Sequence, residues 1–334
     1  MKINLKKISE MTGFSPATVS NALNNKKGVN KDTAKQIIDI ARQYGYITED
    51  KIKSIQLVIY HDSGKVVSDV PFFNSLLESL SNASRKRGYE TKLVNLYRHE
   101  EDYEKRLYDI LQDVTSAVLL VGTELDENSA RAFLKAEMPL VLLDCSFGLL
   151  KFHSVLMDNE NAMLQAVNYL AGLGHTNIGY LHSEVATQIF EYRRLGYVNA
   201  MQRCGLAINK DFCFGLPVSI TEAYEKFNEI LAQKPNLPTA FLAANDMVAL
   251  GAMQALQKNG IRIPEDISII GFDDIDISRV IAPGLTTLRV DTKELGQLAV
   301  HKLLDFIQQP QQMHTQTQLY TELMVRGSTA KPRE

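Results

Sequence analysis

The stretch from Ser15 to Asn24 carries side chains that could lie against a nucleic acid. Val19, Ala22 and Leu23 recur at i, i+3 and i+4, which predicts a helix with one apolar face. The opposite face has no Asp or Glu, so phosphates would meet no carboxylate there. Its small or polar side chains are those of Ala17, Thr18, Ser20, Asn21 and Asn24. An asparagine such as Asn21 can hydrogen-bond to adenine through both parts of its amide.

Three short helices are predicted to position this face. Ser15 is a suitable N-cap, and Pro16 fits the first helical position, where a missing N–H costs nothing. A preceding helix is predicted from Asn4 to Thr12, because Asn4 can cap it and Gly13 can end it. A third helix is predicted after Asn30. This order, with a tight turn between the first two helices, is typical of a helix-turn-helix, whose second helix enters the major groove.

Charge is distributed unevenly along the chain of 334 residues. Residues 1–53 hold ten Lys or Arg and five Asp or Glu, a net charge of +5. Because the whole chain carries −3, the remainder carries −8. A basic end on an acidic body favours a polyanionic partner bound at that end only.

The composition predicts neither a membrane partner nor a metal or other cofactor. No run is apolar enough to cross a bilayer, and the N-terminus is polar, so we expect a cytoplasmic protein. Cys145, Cys204 and Cys213 lack metal-type spacing and are expected to be reduced thiols. Three nearby carboxylates do not have the spacing of a calcium loop. These are Asp273, Asp274 and Asp276.

From Ile55 onward, apolar runs alternate with amphipathic stretches, which predicts parallel sheets with helices on both faces. We therefore predict a small all-α helix-turn-helix domain over 1–46, a short linker over 47–54 and an α/β core over 55–329. Two successive α/β blocks predict two lobes in this core. The first is expected to comprise 55–157 plus 286–329, and the second 158–285.

The chain resembles the LacI/GalR family of bacterial transcription regulators. In the first domain, Ala17-Thr-Val-Ser20 followed by Leu23-Asn24 carries the resemblance, together with Tyr44-Gly-Tyr46. In the body it continues through Pro238-Thr-Ala-Phe-Leu-Ala-Ala-Asn-Asp246 and Ile263-Pro-Glu-Asp-Ile-Ser-Ile-Ile-Gly-Phe-Asp-Asp274. The resemblance implies a body folded like a periplasmic sugar-binding protein, a homodimer and double-stranded operator DNA as partner.

The resemblance also implies a small-molecule effector, a sugar or sugar derivative, bound between the lobes. Arg193, Asn245 and Asp273 match the family's effector positions, and their donors and acceptors suit a polyhydroxylated ligand. Phe72 and Phe73 could stack on a ring. Asp144, at the end of a predicted strand, is a further candidate.

Structural roles remain open for several of these residues. Arg193 and Asp273 could simply pair with one another, and either phenylalanine could belong to the core. Asp246 is expected to cap its helix rather than touch a ligand.

The place of each residue in the helix-turn-helix predicts whether it contacts a base or a phosphate. Pro16, Ala17 and Asn21 would face bases, the first two through apolar contact only. The candidates for phosphate contacts are Thr18, Ser20, Asn24, Asn30 and Thr33.

The linker departs from the family pattern. Relatives follow the Tyr-Gly-Tyr stretch with a hinge helix whose leucine wedges into the minor groove. Here Ile47-Thr-Glu-Asp-Lys-Ile-Lys-Ser54 lacks the Asn-x-x-Ala-x-x-Leu pattern, and only Ile52 could act as a wedge. The sequence therefore predicts that the hinge helix is lacking.

Taken together, the residues and the resemblance predict a cytoplasmic, homodimeric transcription regulator, a repressor controlled by an effector. They do not distinguish an inducer from a corepressor. Three alternatives stay open at this level: a transport binding protein, an enzyme, and a DNA-binding protein with a ligand-free body. No nucleophile elbow or Ser/His/Asp set supports the enzyme.

Overall fold

The computed structural model describes residues 4–23, 28–43, 52–67, 71–310 and 313–333. The predicted linker falls mostly on residues 44–51 and so lies outside the described residues, as does Asn24. Chain contacts divide the protein into two compact units. Unit 1 comprises 1–62, 77–155 and 296–317, and unit 2 comprises 63–76, 156–295 and 318–334.

Helices and strands alternate through most of the described chain. The helices are α1 (Leu5–Thr12), α2 (Pro16–Leu23), α3 (Lys31–Gln43), α4 (Pro71–Lys86), α5 (Tyr103–Leu111), α6 (Glu127–Phe133), α7 (Asn159–Leu173), α8 (Gln188–Arg203), α9 (Ile220–Ala232), α10 (Asp246–Lys258), α11 (Ile277–Val280) and α12 (Thr292–Gln308). The strands are β1 (Ser54–His61), β2 (Glu90–Tyr97), β3 (Ser116–Val121), β4 (Leu140–Leu143), β5 (His153–Met157), β6 (Ile178–Ser183), β7 (Cys213–Leu216), β8 (Ala240–Ala243), β9 (Ser268–Asp273), β10 (Thr286–Arg289), β11 (Gln316–Leu319) and β12 (Glu322–Met324).

The first domain, which we call the headpiece (residues 4–43 as described), consists of α1, α2 and α3. The Asn4 side chain caps α1 by accepting from the Lys7 N–H at 2.9 Å. Gly13 ends α1 with φ 72°, a left-handed conformation that glycine adopts without strain. These predicted caps are confirmed, and they fix the tight turn that leads into α2.

The two sheets are predominantly parallel. Strands of the first sheet run in the order β11-β5-β4-β3-β1-β2, and those of the second in the order β12-β10-β9-β8-β6-β7. Continuous apolar strands such as β3 and β9 are buried along their whole length, as expected when helices cover both faces. The predicted fold class, an all-α domain followed by an α/β core of two sheets, is confirmed.

Two details differ from the sequence-based expectation. The sequence predicts that residues 286–329 belong to the first lobe, yet the strands β10 and β12 belong to the second sheet, and of the three strands in this range only β11 joins the first. β12 pairs antiparallel with β10, so the tail returns along the strand that precedes α12. In addition, β7 was not predicted, because its Cys-Phe-Gly-Leu sequence is short and interrupted by glycine.

Candidate functional sites

The start of α2 is built to present its polar face. Ser15 Oγ accepts from the Thr18 N–H at 3.1 Å and lies 2.9 Å from the Thr18 hydroxyl, so the predicted N-cap is present. Val19, Ala22 and Leu23 are buried against the other headpiece helices. The first turn of α2 contains no acidic residue. A phosphate could therefore approach this helix end without charge repulsion.

The residues predicted to contact DNA lie on the solvent side of the headpiece where the structure describes them. Pro16, Ala17 and Asn30 are exposed. Four others are half-buried: Thr18, Ser20, Asn21 and Thr33. Asn30 also accepts from the Asp32 N–H at 2.8 Å, so its side chain positions the start of α3. The contacts of these residues with DNA stay predictions.

Arg193, a predicted effector residue, is the centre of a buried hydrogen-bond network in unit 2. It lies in the second turn of α8, and only 2% of it is exposed. Its Nε donates to Asn159 Oδ1 at 2.9 Å and its Nη1 to the Ala244 carbonyl at 2.6 Å. Its Nη2 lies 3.4 Å from Asp273 Oδ1. The guanidinium also sits 3.5 Å from the centroid of the Phe272 ring, a cation–π contact.

Arg193 and Asp273 therefore form an ion pair, which is the structural role that the sequence analysis left open for them. Asp273 is the last residue of β9 and is 9% exposed. Its φ of 115° is unusual for a residue with a side chain, and the next residue, Asp274, has a φ of 58°. Such strain persists only where the surroundings hold it, and it is concentrated at functional sites.

Asn245, and not Asp246, caps α10, and a contact of Asn245 with an effector stays a prediction. Asn245 is the N-cap of α10, accepting from the Val248 N–H at 2.9 Å. The expectation that Asp246 caps the helix is therefore wrong. Asp246 is the first residue of α10, and its carboxylate is turned towards the segment that follows β9.

The Asp246 carboxylate is completely buried and fully hydrogen-bonded. Its Oδ2 accepts from the Ile275 N–H at 3.0 Å and the Ser278 hydroxyl at 2.8 Å. Its Oδ1 accepts from the Thr287 hydroxyl at 2.6 Å. At Gly271, a Cβ would lie 2.1 Å from Oδ1, so only glycine leaves room for this carboxylate. Asp246 thus joins the start of α10 to the segment that follows Asp273 and to β10.

Burial raises the pKa of Asp246 to about 6, although its three hydrogen bonds oppose the shift. Because the folded pKa lies above the ordinary value of about 3.9, the fold favours the protonated form. The resulting contribution to the free energy of unfolding is complete below the ordinary pKa and is lost as pH rises through about 6.

We expect Asp246→Asn to remove this pH dependence, because an amide does not titrate. Between pH 4 and pH 7 the wild type should lose about 2 kcal/mol of unfolding free energy relative to the variant. Denaturant unfolding at several pH values measures the difference. The exposed Asp211→Asn is the matched control and should follow the wild type. Parallel profiles for wild type and Asp246→Asn would contradict the shifted pKa.

Asp274 fixes the other side of the same turn. Its carboxylate is fully buried and pairs with Arg279 at 3.0 Å and with Arg326. Arg326 also donates to the Leu285 carbonyl at 2.8 Å. Asp246 and Asp274 therefore hold the segment after β9 from two directions, and Asp273 lies at its beginning.

A cavity of about 330 Å³ opens beside this segment, within unit 2. Its volume is at the lower end of the range for small-molecule sites. Phe72 lines it together with Asp273, and Phe72 and Phe73 form an edge-to-face pair with centroids 5.2 Å apart. The remaining lining residues are Pro71, Ser75, Asp274, Ile275, Asp276, Arg279, Arg289, Val290, Asp291 and Thr292.

The structure brings only some of the predicted effector residues together. Arg193 and Asp273 are in contact, and Phe72 shares the cavity with Asp273. Both phenylalanines are buried, at 6% and 5% exposure. Asp144 belongs to unit 1, where it is buried and accepts from the Thr123 hydroxyl at 2.6 Å. Its part in the site stays a prediction.

Sequence reasoning missed Asn159, the Ala244 carbonyl and Thr287 as members of this network. They lie at the start of α7, directly after β8 and in β10, and each meets its partner only through the tertiary fold. One signal for this network was present in the sequence. Asn245 and Asp246 follow a buried strand, and buried polar side chains need hydrogen-bond partners from elsewhere in the chain.

Other site types have no support in the part of the chain that the structure describes. Among those residues, no three His, Cys, Asp or Glu side chains are grouped so that they could hold a metal ion. None of the described helices combines the length and the apolarity needed to span a membrane. Cys145, Cys204 and Cys213 are free thiols, and Cys145 is buried.

Comparison with family models matches both parts of the chain. Residues 4–49 match the model described as bacterial regulatory proteins, lacI family. Residues 167–329 match the periplasmic binding protein-like domain.

Individual proteins match over nearly the whole length. The HTH-type transcriptional repressor PurR of Pasteurella multocida (strain Pm70) is 30% identical over 97% of this chain and 98% of its own. The HTH-type transcriptional repressor CytR of Escherichia coli (strain K12) is 30% identical over 97% and 96%. The structure of the Lac repressor dimer bound to operator and the anti-inducer ONPF has a TM-score of 0.73 and 24% identity, covering 99% of this chain and 100% of that one. At that identity the likeness shows the fold.

Proposed function

This chain belongs to the lacI family of bacterial regulatory proteins, and we propose that it represses transcription by binding an operator duplex under the control of a small-molecule effector. The observation that carries this function is the headpiece. Its three capped helices surround one apolar cluster and leave the acid-free face of α2 to solvent. The PurR and CytR repressors share this order of domains along nearly their entire length.

Within the headpiece, we assign base contacts to Pro16, Ala17 and Asn21. The first two are exposed and can offer only apolar contact, for example to a thymine methyl, so Asn21 supplies the main hydrogen bonds. Thr18, Ser20, Asn30 and Thr33 are assigned to phosphates, as is Asn24 from its place in the sequence. Phosphate contacts position the helix without specifying the base sequence.

For the effector, we propose an uncharged polyhydroxylated molecule such as a sugar. All three nitrogens of the Arg193 guanidinium already have protein partners, so Arg193 orients Asp273 rather than offering a free cation. The cavity beside Asp273 is lined by four Asp and two Arg residues, and both arginines are paired with carboxylates. A phosphorylated ligand would therefore meet net negative charge, whereas hydroxyls would find carboxylate acceptors.

We further propose that the protein acts as a homodimer on a near-palindromic site. The Lac repressor of similar fold is a dimer bound to operator. Two copies related by a two-fold axis would place two α2 helices on half-sites about one helical turn, or a multiple of it, apart. We assign no reaction to the chain, since PurR and CytR are repressors rather than enzymes.

Selection of DNA fragments tests the function directly. The full-length protein is incubated with random fragments of its own genome, with and without metabolite extract, and the retained duplexes are sequenced. We expect one common, near-palindromic sequence. Val19→Asp, which places a carboxylate in the headpiece core, is the negative control and should retain no common sequence. If the wild type also enriched no common sequence under either condition, the proposed function would be wrong.

A further inference from the structure

The apolar cluster of the headpiece includes one residue from the body of the protein, among the residues that the structure describes. Val114, in the loop between α5 and β3, is 5% exposed and belongs to this cluster. All its other buried members come from the three headpiece helices: Ile8, Val19, Ala22, Leu23, Ile37, Ile38 and Ala41. The headpiece and this loop lie in the same compact unit. An aliphatic side chain of the body therefore completes the headpiece core.

The loop that carries Val114 is held firmly by its own hydrogen bonds. The Asp113 carboxylate accepts from the Thr115 N–H at 3.0 Å, the Thr115 hydroxyl at 2.7 Å and the Ser116 hydroxyl at 2.7 Å. Gln56 of β1 donates to the same carboxylate at 2.8 Å. Asp113 thus ties the loop to the first strand of the body and fixes the direction in which Val114 is presented.

The same loop also binds the chain where it enters the body. The Lys53 N–H donates to the Thr115 carbonyl at 2.9 Å, and the Ser54 and Ser116 hydroxyls lie 2.9 Å apart. Residues 113–116 therefore contact both the headpiece core and the last two residues of the predicted linker, Lys53 and Ser54. The linker sequence itself lacks the Asn-x-x-Ala-x-x-Leu pattern of a hinge helix.

We propose that the loop Asp113–Ser116 is a docking surface for the protein's own headpiece, with Val114 as the side chain that holds it. The docked headpiece is restrained by the body through an apolar contact as well as through the linker. A movement of β1 or β3 is then transmitted to the headpiece through this loop.

Val114→Asp tests the docking without requiring an operator or an effector. A carboxylate among apolar side chains is unfavourable, so the contact should open. We expect amide hydrogen exchange over residues 4–23 of the full-length protein to become about tenfold faster, since loss of a buried valine contact corresponds to about that factor. Exchange in β1 and β3 should be unchanged.

Val280→Asp is the matched control, because Val280 is 81% exposed in unit 2 and should leave headpiece exchange as in the wild type. Val114→Ile retains the aliphatic contact and should also behave like the wild type. Equal headpiece exchange in Val114→Asp and Val280→Asp would overturn the proposal. If Val114→Asp also accelerates amide exchange in β1 and β3, Val114→Ala is measured instead. Equal headpiece exchange in Val114→Ala and Val280→Asp would then overturn the proposal.

Discussion

Replacing Asp273 with alanine is expected to abolish the response to the effector while leaving operator binding by the ligand-free protein intact. Asp273 lines the cavity, and its carboxylate accepts a hydrogen bond from one nitrogen of Arg193, so we propose it as an acceptor for ligand hydroxyls. Loss of a charged acceptor from a desolvated site should weaken effector binding by about a hundredfold, or roughly 3 kcal/mol. The headpiece is built from other residues, so its affinity for DNA should not change.

Thermal shifts with D-ribose, D-glucose, cellobiose and the phosphate esters of the first two measure ligand binding, because a ligand that binds the folded protein stabilises it. A neutral sugar should stabilise the wild type, its phosphate ester should not, and Asp273→Ala should lose the shift. Asp211→Ala, at an exposed position of unit 2, should retain it.

A second variant separates the lost charge from a folding defect. Asp273→Ala removes one hydrogen-bond partner of the buried Arg193 guanidinium, and this loss by itself lowers the stability of the fold. Asp273→Asn keeps the shape and one acceptor oxygen, so it should fold like the wild type and still bind the sugar weakly. A normal ligand shift in Asp273→Ala would remove Asp273 from the site, and a larger shift with a phosphate ester would refute the neutral effector.

Asn21→Ala is expected to weaken operator binding by tenfold to more than a hundredfold, with little change on random DNA. Asn21 is the one side-chain amide on the described polar face of α2, and a two-bond contact to adenine is worth about 1–3 kcal/mol of discrimination. Electrophoretic mobility or fluorescence anisotropy with the selected operator and with a scrambled duplex measures both affinities at one salt concentration.

Thr33→Ala is the comparison for a phosphate contact. It should weaken binding to operator and scrambled duplex by a similar factor, because phosphates carry no base information. If Asn21→Ala also reduced both affinities equally, Asn21 would be a positioning contact, and base reading would have to reside elsewhere in the headpiece.

Local sequence determined the headpiece and the order of elements in the body. Asn4, Gly13 and Ser15 set helix ends through hydrogen bonds and backbone conformations that span only a few residues. Such caps can therefore be read from adjacent positions. Continuous apolar runs such as β3 likewise predict parallel strands from adjacent positions, because an uninterrupted apolar run indicates a strand that is buried on both faces.

The tertiary structure alone decided how the effector-site residues are used. Arg193 meets Asn159, Ala244 and Asp273 at separations of 34, 51 and 80 residues. No local pattern encodes such pairs. Likewise, Asp246 resembles a helix cap in sequence, but burial against Ile275, Ser278 and Thr287 gives it a different role. A buried carboxylate must accept hydrogen bonds from the donors that surround it in the folded protein. Its role therefore depends on residues distant in sequence rather than on its neighbours in the chain.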